Sequence, residues 1–164
     1  MPSHEQLLRE AVRLAKANLK RGGRPFGAVL AIGGEIVASG VNGVVHSHDP
    51  TTHAEMEAIR AASRHLGRPD LTGGVVYASG HPCPMCLAAI VIVGVDAVYY
   101  AFDNSDAAPY GFSSEAIYQA LHLPLVPPPL PLIRLDIGVT AAELYGGGPR
   151  TPPPRAFHQR DSHR

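Results

Sequence analysis

Near the start of the chain, Leu8, Ala11, Val12, Ala15 and Leu19 recur at helical spacing, which predicts a surface helix with one face on a core. Ser3 with Gln6 makes a capping-box opening, and Gly22-Gly23 ends the run. The pattern then changes: 26–32 and 35–41 are rich in Val, Ile and Ala around Gly33-Gly34, which predicts two antiparallel strands joined by a two-residue turn. Residues 42–52 hold Gly, Asn, His, Asp and Pro without periodicity. They predict a loop leading to a helix that begins near His53 and ends at Leu66-Gly67.

Residues 74–79 predict a short strand. Pro84 suits the first position of another helix, where its fixed backbone angle and missing donor cost nothing. From Leu87 to Val93 that helix is apolar all round, so it is expected to be buried. Ile90 to Val93 would also suit a strand, but the start at Pro84 and the stop at Gly94 favour helix. A strand over 95–102, a short helix over 113–121 and a last strand over 132–139 follow, with five prolines in 124–131 making an extended connector. Strands alternating with helices after a hairpin predict an α/β fold: a three-layer α/β/α sandwich around a mixed sheet. Residues 1–145 form the expected domain. Residues 146–164, rich in Gly and Pro, are expected to be a tail without a core; Tyr145 and Phe157 stay open between covering a substrate or a neighbouring subunit and disorder, with disorder the safer expectation.

Composition narrows the function. The 164 residues are 45% hydrophobic, enough for one domain with a genuine core. Fourteen basic residues balance fourteen acidic ones, which disfavours a polynucleotide substrate. No long apolar stretch is present and the first twenty residues are charged and helix-patterned, so the expected location is the cytoplasm, away from membranes. The two cysteines are too few for a disulfide framework, which leaves a redox pair, a metal site or coincidence.

His53-Ala54-Glu55 opens one predicted helix, and Pro82-Cys83-Pro84-Met85-Cys86 opens the next. A helix N-terminus favours the thiolate, which is the form that binds metal. Two thiolates and one imidazole suit zinc, and three protein ligands leave the fourth tetrahedral position open, as a catalytic site requires. Glu55 is then placed to move protons for hydrolysis. Simpler readings exist: Thr52 with Glu55 is also a capping box, and a lone C-x-x-C is also a redox pair. A structural zinc module would need a fourth ligand, for which His46, His48 and His81 are candidates. His4, His65, His122, His158 and His163 are expected to be solvated.

The H-x-E and P-C-x-x-C pair, within DPTTHAEMEAIR over 49–60 and HPCPMCLAAI over 81–90, resembles the cytidine-deaminase superfamily of zinc deaminases, closest to the bacterial guanine deaminases. Pro25-Phe26-Gly27-Ala28, Tyr100-Ala101 and the segment from Gly111 to Tyr118 extend the likeness. The resemblance implies a cytidine-deaminase-like five-stranded fold and a homodimer. It implies Zn2+ held by His53, Cys83 and Cys86, with Glu55 catalytic and Phe26, Asn42, Ala54, Ser79 and Ser114 as substrate contacts. It also implies a free base or nucleoside as substrate, guanine- or cytosine-type; HDPTTHAE resembles the tRNA-specific adenosine deaminases as well. The chain departs from guanine deaminases at Val91 and Ile92, where they carry aromatics, and at Ser113 and Ser114, where they carry acids. Glu115 and Glu143 are candidates for restoring a charged acceptor, and His81 stands where relatives often have Glu.

Overall fold

A computed structural model describes residues 1–148. Its first helix, α1 (His4–Lys20), opens on a full capping box: the Gln6 N–H donates to the Ser3 hydroxyl at 3.1 Å and the Ser3 N–H donates to the Gln6 side chain at 2.8 Å. Two donors that a helix start leaves open are thereby satisfied. Leu7, Leu8, Ala11, Val12 and Ala15 are buried along one stripe, while Leu19 is only partly covered.

Strands β1 (Gly27–Ile32) and β2 (Glu35–Val41) pair antiparallel about Gly33 and Gly34, whose φ values of 61° and 83° give the turn the twist a hairpin needs. β3 (Gly74–Gly80) lies antiparallel on the other side of β1, and β4 (Ala97–Phe102) and β5 (Leu132–Arg134) add parallel neighbours. The order is β2-β1-β3-β4-β5, the expected mixed five-stranded sheet. Alternation along β1 assigns its two faces. Val29 and Ala31 join the cluster of Leu8, Ala11 and Val12 on α1, whereas Ala28 and Leu30 join Ala58 and Ile59 of α3 (Ala54–Leu66) and Ile90 of α4 (Pro84–Ile92). Helices thus cover both faces, giving the three layers expected.

Two glycines set how closely those layers approach. A Cβ on Gly27 would stand 2.3 Å from the Ala11 carbonyl oxygen, and one on Gly40 would stand 2.4 Å from that of Ala54. At both places helix backbone rests directly on sheet backbone, and Gly40 holds the opening turn of α3 against β2.

Several expectations need correction. The loop over 42–52 contains a helical turn, α2 (Val44–Ser47), and the last strand stops at Arg134 instead of 139. Between β4 and α6 (Glu115–Ala120) lie α5 (Asn104–Ala107) and a 3-10 turn (Ala108–Tyr110), and α7 (Ala141–Tyr145) follows β5. Such short helices bury too few positions to print a period; α5 and α7 are started by the side-chain caps of Asp103 and Thr140. α4 is not buried all round, since Val91 is 47% and Ile92 82% exposed. Tyr145 does have fixed partners: it is 4% exposed and its ring meets those of Phe26, Phe102, Tyr110 and Phe112. His4, though exposed, is bonded to the Tyr77 hydroxyl at 2.8 Å and stacked on Tyr99. Phe157 and the rest of the expected tail from 149 onward lie outside the described residues. Among the described residues, no helix is long and apolar enough to cross a membrane.

Candidate active site

The two helices of one sheet face begin with the residues that matter. His53 is the N-cap of α3 and Cys83 the N-cap of α4, both in extended backbone conformation and neither making a side-chain cap hydrogen bond. Their side chains are therefore free to meet each other, and Cys86 joins them from the first turn of α4, which Pro84 opens. His53 Nδ1 lies 3.5 Å from Cys83 Sγ and 3.6 Å from Cys86 Sγ, and all three donor atoms fall within 4.8 Å of one another. Zinc bonds of about 2.3 Å to sulfur and about 2.0 Å to nitrogen, at a tetrahedral angle, require a sulfur–nitrogen separation of about 3.5 Å. The donor set and its spacing fit zinc. Neither His46, His48 nor His81 belongs to this cluster, so the fourth protein ligand that a structural zinc module would need is absent among the described residues.

The electrostatics of the cluster centre on Cys83. A hydrogen bond from the Cys86 thiol, with further help from His53, brings the Cys83 thiol down to about 4 against the cost of its burial. Cys86 is pushed upward by that same bond and by burial. His53 is raised first by its hydrogen bond to Cys83. Glu55 lies in the first turn of α3, 7% exposed, with Oε2 3.5 Å from Cys86 Sγ. Burial, the largest influence, pushes its carboxyl up to about 7, within reach of proton exchange in both directions near neutral pH.

His53, Glu55 and Cys83 form one wall of a cavity of about 230 Å3. That volume lies below the ~300–1,000 Å3 of drug-sized ligand sites, so a single heterocycle is the natural occupant. Of the residues expected to contact substrate, Phe26, Asn42 and Ser114 line it, and Phe26 also packs edge-on against Phe112. The Asn42 side-chain oxygen accepts the Val44 N–H at 3.1 Å, which leaves its amide N–H groups to donate. Ser113 lines the cavity too; its hydroxyl oxygen accepts the Glu115 N–H, whereas the Ser114 hydroxyl donates to Asn104 Oδ1 at 3.2 Å. Ala54 and Ser79 are brought close but do not line the cavity: both are buried, and the Ser79 hydroxyl accepts the Gly27 N–H at 3.1 Å. Glu115 is exposed and Glu143 is engaged with the Thr140 N–H in the cap of α7, so neither lines the cavity.

Three residues here escape sequence reasoning or exceed what it assigned. Tyr118 is buried and donates to the Pro82 carbonyl at 2.6 Å, and His81 donates to that oxygen through Nδ1 at 2.9 Å. Together they fix the turn that carries Cys83. Burial lowers the pKa of His81. Arg24 lines the cavity and was announced by no motif; the Gly-rich run before Pro25 gave no signal beyond the end of α1.

A five-stranded mixed sheet with two helix starts delivering one imidazole, two thiols and a buried carboxylate defines a zinc-dependent aminohydrolase. Residues 1–102 match the cytidine and deoxycytidylate deaminase zinc-binding region, and the chain belongs to that family. It is 42% identical over 136 residues to guanine deaminase of Bacillus subtilis, covering 82% of this chain and 87% of that one. The solved structure of that Bacillus subtilis enzyme superposes with a TM-score of 0.72 over the same shares. A tRNA-specific adenosine deaminase from the same organism is 39% identical over 104 residues, 63% of this chain and 65% of its own. The cytidine-deaminase-like fold expected from the motifs is thus established.

Proposed function

We propose that this protein hydrolytically deaminates a free guanine- or cytosine-type amino-heterocycle, with residues 1–145 as the catalytic unit. The observation that carries the reading is the buried Glu55 carboxylate beside the His53, Cys83 and Cys86 donors on the wall of a cavity sized for one ring system. The likeness to guanine deaminase supports a free base as substrate.

Zinc, when bound by His53, Cys83 and Cys86, supplies Lewis acidity that brings water's pKa towards neutrality. The substrate ring sits against Phe26, with Asn42 and Ser114 addressing its polar edge. Water adds to the ring carbon that bears the amine, and Glu55 passes one of its protons to the adjacent ring nitrogen. As the carbon–nitrogen bond breaks, the second proton leaves with the amine as ammonia and the ring keeps a carbonyl. Ala54 and Ser79 act behind this surface, as packing at the start of α3 and as the hydroxyl that holds Gly27.

Release of ammonia across a panel of bases and nucleosides, with xanthine or uracil as products, tests the assignment. Glu55→Gln is expected to retain zinc and to lose about 10²- to 10⁴-fold in turnover. Full activity in that variant would remove Glu55 from the proton path.

The similarity to tRNA-specific adenosine deaminases supports a second reading, adenosine within an anticodon loop. Balanced charge weighs against it, and inosine formation in a stem-loop without activity on free bases would decide for it. We also infer a homodimer in the cytoplasm. Support for the dimer comes from an apolar groove of about 450 Å3 along α4, lined by Leu87, Val91, Ile92 and Leu123. Free cysteines suit a reducing compartment.

A further inference from the structure

The cavity carries a charge that the deamination chemistry does not use. Arg24 lines it. Among the described residues Arg9, Arg13, Arg60 and Arg134 form ion pairs, while the Arg24 guanidinium has no carboxylate partner. The only carboxylate in the lining is Glu55, which is buried beside Cys86 and engaged in the chemistry. The remaining polar wall adds donors: the Asn42 amide, whose oxygen is already held by Val44, and the Ser113 hydroxyl, whose oxygen already accepts from Glu115. At Ser113 and Ser114, where an acid would offer a charged acceptor to ring N–H groups, the protein presents neutral hydroxyls. Among the described residues, a cation without a carboxylate partner and two such donors are complementary to a ligand edge that is anionic.

We propose that Arg24 is a specificity-determining residue that selects an amino-heterocycle bearing an anionic group, a carboxylate above all, over its neutral counterpart. The inference rests on the deaminase reading for the position of the ring, but its own content is the charge of the substrate. A guanidinium presents parallel N–H groups in a planar fork that fits a carboxylate at two points, which a neutral carbonyl cannot match. A cavity of about 230 Å3 suits an anionic group carried on the ring itself.

Equilibrium binding to the zinc-loaded full chain tests this without turnover, using rings that lack the reactive amine. Orotate and isoorotate carry a carboxylate at different positions of the uracil ring, and uracil is the neutral reference. At least one carboxylate is expected to bind about tenfold or more tightly than uracil, with the advantage falling as salt rises. Arg24→Met should bring carboxylate and neutral ligands to within about twofold of each other, and Arg24→Lys should retain part of the preference. Equal or weaker binding of both carboxylates by the wild type, or a preference that survives in Arg24→Met, overturns the proposal. Failure to release ammonia from any aminated ring, with the binding preference intact, would instead sink the deaminase reading and leave Arg24 as an anion-selecting group.

Discussion

Tyr118 reaches the candidate metal site through the backbone that precedes Cys83. Its hydroxyl and the His81 ring both donate to the Pro82 carbonyl, which immediately precedes Cys83. Removing one donor from a buried acceptor costs about 1–3 kcal/mol, and here the loss falls on the turn that aims a thiolate. Tyr118→Phe is expected to lower the melting temperature and to release zinc faster to a competing chelator, while ammonia release at saturating zinc falls only modestly. A variant with wild-type zinc release would show that His81 alone fixes the turn. At this scale the proposed ligands His53, Cys83 and Cys86 and the proposed proton carrier Glu55 were legible in the sequence, since they lie in two short motifs at helix starts. Tyr118 was not, because its role depends on a contact across 36 residues of chain. Arg24 was not either: a charge beside a Pro-Phe pair says nothing of the cavity it will line until the fold closes.

The elements that position the site depend on close contact between helix and sheet backbones. Gly40 of β2 faces the first turn of α3, where a Cβ would meet the Ala54 oxygen at 2.4 Å and the Ala58 nitrogen at 2.6 Å. Neither neighbour is a flexible side chain that can swing aside. Gly40→Ala is therefore expected to push α3 away from the sheet, costing about 1–3 kcal/mol or more and moving His53 and Glu55 together. Thermal unfolding and zinc stoichiometry would both fall; unchanged values would mean that the sheet edge yields instead. Long elements with a clear period were readable from the chain, as with the capping box of α1 and the hairpin at Gly33-Gly34. The single-turn helices were not, because side-chain caps start them and tertiary contacts hold them. α7 is the instructive case: beside a Gly-rich run it reads as the edge of a tail, yet Thr140 caps it and Tyr145 locks it against Phe26.

At the scale of the whole molecule, the misreading of α4 has a physical source. A helix that is apolar all round is normally buried all round, but a single chain need not supply every surface that buries it. The structure buries Pro84, Cys86 and Ile90 and exposes Val91 and Ile92, next to the proline connector. The rule holds if a second copy covers the remaining face. Ile92→Glu is expected to convert a dimer to a monomer by sedimentation or light scattering, with the folded state retained. A wild-type protein that is already monomeric at micromolar concentration would refute the dimer.

His53 and Cys83 occupy the two cap positions where helices ordinarily carry Ser, Thr, Asp or Asn, and neither makes the usual bond to its own helix. A metal held by His53 and Cys83 would clasp two helix beginnings together and tie local order there to its occupancy. Chelation is expected to speed amide hydrogen exchange in the opening turns of α3 and α4 while leaving α1 protected. Uniform protection after chelation would mean that the helix starts are held by packing alone. A shortage of zinc would then do more than slow the reaction: it would loosen the segments that carry Glu55 and both thiols, exposing apo protein to proteolysis at the residues of the candidate site.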